Sequence, residues 1–410
     1  MTAIPSPVIP EVLRASPQFR LFFAGQSLSL VGDRIAFIAI PFAVLAIGGG
    51  VSDVGLVVAA QTAPFALLSL AAGVWADRVD RRTIMVVSDL VRMLCQLVAG
   101  ALLVTGEAEI WHLALLGAIF GAADAFFSPS MVGLLPQVVA PAYLQQANAL
   151  RALTMSTGMI LGPAIAGVLI ALAGVGAALL LDAATFAVSI ACLLRLRPAA
   201  VERLDGPEPG FLSGLRTGWR EVRGRSWVMA FLASMCVYHL IVLPSIFVLG
   251  PVIADRDYGG ASAWAIVVAA FGAGAVVGDL ILLRWRPSRP LSAAATLLIV
   301  ASCQAAIIGS GLPIAAIAAL EFVTGIAVTG YFTLWETTLQ EQIPEHALSR
   351  VSSYDFTVSV GLMPIGLALA GPLAAVVGLR PMMFAMTAIG IGAALACLSV
   401  RSVRTLTRPA

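Results

Sequence analysis

The chain contains no lysine: all 24 of its basic residues are arginine, set against 22 acidic residues. Without that amine there is neither a Walker A phosphate loop nor a Schiff-base site for pyridoxal or retinal, which excludes nucleotide-driven pumping and those cofactors. Charge of either sign is scarce, at 11% of residues against about 25% in an ordinary soluble domain. The net charge of +2 is too small to point to nucleic acid. Five cysteines (Cys95, Cys192, Cys236, Cys303 and Cys397) stand singly in separate apolar segments, with no CxxC and no Cys/His spacing suited to zinc. No metal or cofactor is expected. Residues 1–18 carry Pro5, Pro7, Pro10 and Pro17 with Glu11, and no short apolar region before a small-residue cleavage site, so no signal peptide is read there.

What fills the chain instead is apolar, 60% of all residues. Runs of about 20 apolar residues have the length of a membrane helix, whereas outer-membrane strands show about 10 residues of alternating character. Twelve such runs centre near residues 33, 64, 93, 123, 161, 185, 239, 273, 300, 325, 362 and 390, giving an all-α membrane protein. A polar stretch over residues 195–227 divides six runs from six. Its second part sets Leu212, Leu215 and Trp219 against Arg216, Arg220 and Arg223, which reads equally as a helix on the membrane surface or as a solvated linker. The expected layout is a segment 1–18, a six-helix bundle 19–195, a linker 196–225, a second bundle 226–400 and a tail 401–410. If the N-terminus is cytoplasmic, the arginines outside the spans fall on that side except Arg256 and Arg380, so both termini are expected there.

The two halves repeat one another. The stretch beginning at Gln137, "QVVAPAYLQQ", and that beginning at Gln340, "QEQIPEHALS", align at a shift of 203 residues, which places Pro141 on Pro344 and Gly158 on Gly361. Duplicated six-helix halves belong to rocking-bundle transporters.

After the second span comes "GVWADRVDRR", residues 73–82, and here the chain resembles the major facilitator superfamily. Gly73, Asp77, Arg78, Arg81 and Arg82 match its signature for this loop; Asp80 stands where the family usually has Gly, at a position expected to be left-handed. The resemblance implies a gating loop on the cytoplasmic side. Gly73 would let two helices approach, the arginines would anchor at the headgroups, and Asp77 would lie against the positive end of span 11. Span 5 reads "GMILGPAIAG", and its Gly158, Gly162, Pro163 and Gly167 look like the motif of the drug/proton antiporter branch. Glycines there permit close packing and Pro163 removes a helix hydrogen bond. Further stretches are similar to enterobactin exporters and macrolide efflux proteins. The arginine that many proton-coupled exporters carry in span 4 is missing, and Asp124 stands in that span instead.

By the resemblance, spans 1, 4, 7 and 10 line a central cavity, and each has ionisable groups near its midpoint: Asp33 and Arg34, Asp124, His239 and Glu321. A charge at a helix centre costs about 2.5–3.5 kcal/mol on insertion scales, so such residues face a bundle interior or water and usually have a function. Asp33 and Arg34 point about 100° apart. Asp33 is expected in the cavity and Arg34 toward another carboxylate, with Asp124 the nearest candidate. Glu321 begins a stripe with Thr324, Val328, Tyr331 and Trp335, an acidic head on an aromatic wall suited to an amphiphilic or cationic ligand. Asp89 and Arg92, three apart, can satisfy each other. Asp182 has no evident place.

The expected function is secondary export of a small amphiphilic compound (a drug, an antibiotic or a siderophore-like molecule) in exchange for protons across a bacterial cytoplasmic membrane, by a monomer. The alternatives are an importer or facilitator of a metabolite with the same fold, a membrane enzyme acting on lipids, and a sensor.

Overall fold

The computed structural model describes residues 10–76, 79–198, 219–220, 222–344, 351, 354–355 and 361–408. Chain order gives α1 (Glu11–Ala15), α2 (Pro17–Ala46), α3 (Val51–Ala76), α4 (Arg81–Thr105), α5 (Ile110–Val138) and α6 (Leu144–Arg195). These are followed by α7 (Ser226–Val237), α8 (Gly250–Asp257), α9 (Ala261–Leu282), α10 (Pro290–Ser302), α11 (Gln304–Gly309), α12 (Ile314–Gln342), α13 (Met363–Val377), α14 (Leu379–Ser399) and α15 (Arg401–Thr405). Among the described residues there is no strand. Within the described residues ten stretches are long and apolar enough to cross a membrane, and Met363–Val377 is a shorter apolar helix.

Local chemistry sets the ends. Ser16 caps α2 by accepting from Phe19 N at 3.1 Å. Asp80 caps α4, accepting from Thr83 N at 2.9 Å and Thr83 Oγ1 at 2.7 Å. The left-handed conformation expected at Asp80 is not adopted: its φ is −59°. Aspartate suits the position because its carboxylate satisfies a free helix N–H, which glycine cannot do.

α6 is 52 residues long, more than twice what one crossing needs. It reverses at Gly174, whose φ of 81° only glycine adopts freely. Both of its arms return to the same end of the molecule: Gln146 accepts from Val12 N at 3.2 Å, and Gln18 accepts from Arg197 N at 2.7 Å.

Helices α2–α6 pack among themselves, α7–α15 do the same, and the two groups join chiefly along α6–α9 and α3–α13. The joins lie toward the turn at residues 46–51. Ser262 Oγ donates to Gly167 O at 3.1 Å, the Phe37 and Phe247 rings meet edge to face at 5.1 Å, and Gly55 faces Leu367 O. In the second group, α7 continues into two π-helical turns, Tyr238–Val242 and Ser245–Leu249, either side of Pro244. Proline lacks the N–H that an α-helical ladder requires, and the wider i→i+5 turns accommodate the gap.

Candidate functional site

The site is built around Arg92, on α4 and 1% exposed. One helical turn earlier on the same face lies Asp89, fully buried and ion-paired to it. Arg92 Nη1 is also 3.1 Å from Asp124 Oδ1 on α5 and 3.8 Å from Asp33 Oδ2 on α2. The guanidinium lies against three rings, with centroids at 3.9 Å for Phe127, 4.6 Å for Phe186 and 5.8 Å for Phe120. Their π-faces add attraction in a site from which water is largely excluded. Ser189 donates to Asp89 at 2.6 Å and accepts from Gln26 at 2.9 Å, so four helices or helix arms are tied to one cation.

Asp33 and Asp124 each keep about a third of their side-chain surface exposed, at 33%. They open on a cavity of about 560 Å³ whose lining also includes Gln26, Gln61, Arg92 and Met131. Asp182 belongs beside this site: fully buried on the second arm of α6, it accepts from Gln96 at 2.8 Å. Gly32 on α2 faces it so closely that a Cβ there would overlap Asp182 Oδ1 and Thr185 Oγ1.

Arg34 does not pair with Asp124. Among the described residues Arg34 has no ion pair within 4.0 Å, and its Nε is buried without a hydrogen-bond partner. The 100° offset from Asp33 turns it toward α6, where Gly158 and Gly162 receive its stem: a Cβ on Gly162 would overlap Arg34 Cβ. Gly167, the last glycine of that motif, abuts Ala265 on α9. The motif thus seats α2 at one end and joins the helical groups at the other, and Pro163 lines a second cavity.

This second cavity, of about 260 Å³, shares Arg34, Phe37 and Phe247 with the first. On its far wall is Glu321, 2% exposed, whose Oε2 accepts from Thr324 Oγ1 at 2.7 Å and Gln304 Nε2 at 3.2 Å. Gln304 in turn accepts from Tyr238 Oη at 2.5 Å. His239 points away from this chain of hydrogen bonds: its Nδ1 is 2.8 Å from Met235 O, and its ring meets Tyr238 and Phe332 edge on.

The aromatic wall expected from Tyr331 and Trp335 is not part of either cavity. Both are fully buried in a core of the second helical group, where Trp335 stacks on Phe231 at 4.5 Å and meets Trp227 at 5.9 Å. Along α12 the stripe rotates from cavity to core, so Glu321 and Val328 line the space and the later members do not.

In the loop motif, Asp77 and Arg78 lie outside the described residues, and of Gly73 only its place in α3 is described. Arg81 Nη1 donates to Gly133 O at 2.6 Å and Arg82 Nε to Leu193 O at 2.7 Å. Rather than reaching only for headgroups, these arginines fasten α4 to its neighbours.

Sequence reasoning missed the central place of Arg92 and gave no role to Gln96, Gln304 or Tyr238. The available signal was a carboxylate and an arginine three apart inside an apolar helix, and single glutamines within the runs around residues 96 and 304.

Membrane-length helices packed around cavities with charged walls are the architecture of a transporter. The chain belongs to the Major Facilitator Superfamily, whose family model matches residues 22–366. It is 26% identical over 390 residues to the multidrug efflux pump Tap of Mycolicibacterium fortuitum, covering 91% of this chain and 93% of that one. To macrolide efflux protein A of Streptococcus pyogenes it is 24% identical over 397 residues, covering 95% and 97%. Its fold matches the crystal structure of a bacterial homologue of the iron transporter ferroportin in an inward-facing state, at a TM-score of 0.72 and 16% identity over 93% of this chain and 98% of that one. It is a multi-pass membrane protein and a secondary transporter.

Proposed function

We propose that the protein exports small amphiphilic compounds (drugs, antibiotics or siderophore-like molecules) in exchange for protons across a bacterial cytoplasmic membrane. The observation that carries this reading is that Asp33 and Asp124 face the cavity while sharing the buried Arg92. One guanidinium stands among three carboxylates, and in a low-dielectric interior such an excess of negative charge is relieved by binding protons or a cationic ligand. Proton and amphiphilic cation therefore compete for the same carboxylates, and that competition is exchange. One proton moving down 100 mV is worth about 2.3 kcal/mol and one pH unit about 1.4 kcal/mol more, enough together for a several-hundredfold substrate gradient.

The similarity to Tap and macrolide efflux protein A supports the outward direction. In this reading residues 19–195 and 226–400 rock as two bundles of a monomer, with both termini in the cytoplasm as the arginine distribution favours. The loop Gly73, Asp77, Arg78, Arg81 and Arg82 serves as the cytoplasmic gate. The cavity of this structure, which reaches Gln26 and Met131 while the helical groups meet near residues 46–51, then faces inward.

The test is proton release from detergent-purified protein on adding ethidium. Wild type is expected to release protons on binding and Asp33→Asn to bind without release; ethidium binding to wild type with no proton release contradicts the exchange reading.

A further inference from the structure

Two residues that line the 260 Å³ cavity from opposite helical groups each carry a hydrogen-bonding atom without a partner. One is Arg34 Nε on α2, the other Glu321 Oε1 on α12; both are buried and neither has a hydrogen-bond partner. The second oxygen of Glu321 is held by Thr324 and Gln304, so the carboxyl group is fixed with its free oxygen unspent. The stem of Arg34 is fixed between Gly158 and Gly162. A buried guanidinium nitrogen and a buried carboxyl oxygen lacking partners are costly to leave so, and arginine and glutamate are residues that a membrane interior keeps for a function. Between them the cavity is apolar and aromatic, with Trp264, Phe271 and Phe332 in its wall. Its volume lies just under the roughly 300–1,000 Å³ of drug-sized sites, which suits one or two rings.

We infer that this cavity is a subsite for the zwitterionic head and adjoining ring of an aromatic amphiphile. The carboxylate of the ligand pairs with Arg34 and its ammonium or other N–H donor with Glu321. The inference rests on the export reading above but not on proton exchange, and it adds to it a preference, among aromatic amphiphiles, for compounds that bear both an acceptor and a donor. It also assigns the span-5 motif a part in recognition, since Gly162 is what lets the stem of Arg34 lie at this wall.

The probes are 2-naphthylalanine, 2-(2-naphthyl)ethylamine, which lacks its carboxylate, and 3-(2-naphthyl)propanoate, which lacks its ammonium. Binding of each is measured by titration calorimetry on the full-length purified protein, with tetraphenylphosphonium as a ligand that needs neither group. Wild type is expected to bind naphthylalanine about tenfold or more tightly than either truncated analogue, the loss of one charge-assisted hydrogen bond. Arg34→Gln is expected to equalise naphthylalanine and naphthylethylamine, and Glu321→Gln to equalise naphthylalanine and naphthylpropanoate. Unchanged tetraphenylphosphonium binding in each variant shows that it is folded. Equal affinity of wild type for the three naphthyl probes, or no binding of them while tetraphenylphosphonium binds, overturns the subsite and leaves the transporter reading standing. If none of the four binds, the subsite and the proposed export of amphiphiles both fall.

Discussion

Asp124 and Arg92 come from neighbouring helices, α5 and α4, and meet at 3.1 Å with the arginine buried and the aspartate open to the cavity. The guanidinium therefore acts as a fixed inner anchor on which a water-accessible carboxylate closes, and Asp33 approaches the same nitrogen at 3.8 Å from α2. Any change in the charge of either aspartate is felt by three helices at once.

Removing the anchor is the harshest change available. Arg92→Gln leaves Asp89 buried beside Asp33 and Asp124 without a cation, and breaking a buried pair in this way costs roughly 3–5 kcal/mol. Thermal melting followed by size-exclusion fluorescence is expected to show a marked drop. Adding Asp89→Asn to the same chain is expected to restore most of the stability while transport stays lost.

The two cavity aspartates differ from Asp89 in exposure, so their neutral variants are expected to fold. In cells or vesicles, ethidium efflux by wild type is expected to rise as the outer side is acidified. Asp33→Asn and Asp124→Asn are each expected to flatten that dependence with protein levels unchanged, which immunoblotting and efflux at several external pH values will check.

Where the helical groups meet, α3 and α13 touch backbone to backbone. A Cβ on Gly55 would lie 2.6 Å from Leu367 O, and one on Gly371 would overlap Ser52. Gly371→Leu is expected to force this end apart and shift the population toward the conformer open on that side. Distances between spin labels placed near residues 52 and 376 should lengthen; unchanged distances count against a joint of this kind.

Trp335 separates a core role from a cavity role. Burial between Phe231 and Trp227 predicts that Trp335→Ala loses about 3–5 kcal/mol of stability with ethidium affinity retained. Lost affinity at full stability is the outcome a cavity position would give.

The membrane helices were legible because the bilayer demands long apolar runs, and the reversal at Gly174 falls between the runs centred at 161 and 185. Asp33, Asp124 and Glu321 stand out in the sequence by the expense of a charge in such a run, and all three border a cavity. Their partners were harder to read. Choosing between Arg34 and Arg92 for Asp124 depends on how α2 is rotated against α6, and that rotation is set by Gly32 and Gly162, whose role appears only once the neighbouring helix is in place. The stripe on α12 misled for a related reason: one helix face turns from cavity to core along its length, so Tyr331 and Trp335 share spacing with Glu321 but not surroundings. Asp80 was read as a turn residue by family habit, whereas the first free N–H groups of α4 made it a cap.

The most direct test of the central claim is concentrative transport in proteoliposomes, with ethidium and an imposed pH gradient, comparing wild type with Asp33→Asn and Asp124→Asn. Wild type is expected to accumulate ethidium against its gradient while consuming the pH difference, and each variant only to equilibrate it. Accumulation by both variants at the rate of wild type would show that the carboxylates around Arg92 hold helices together and do not couple protons to export.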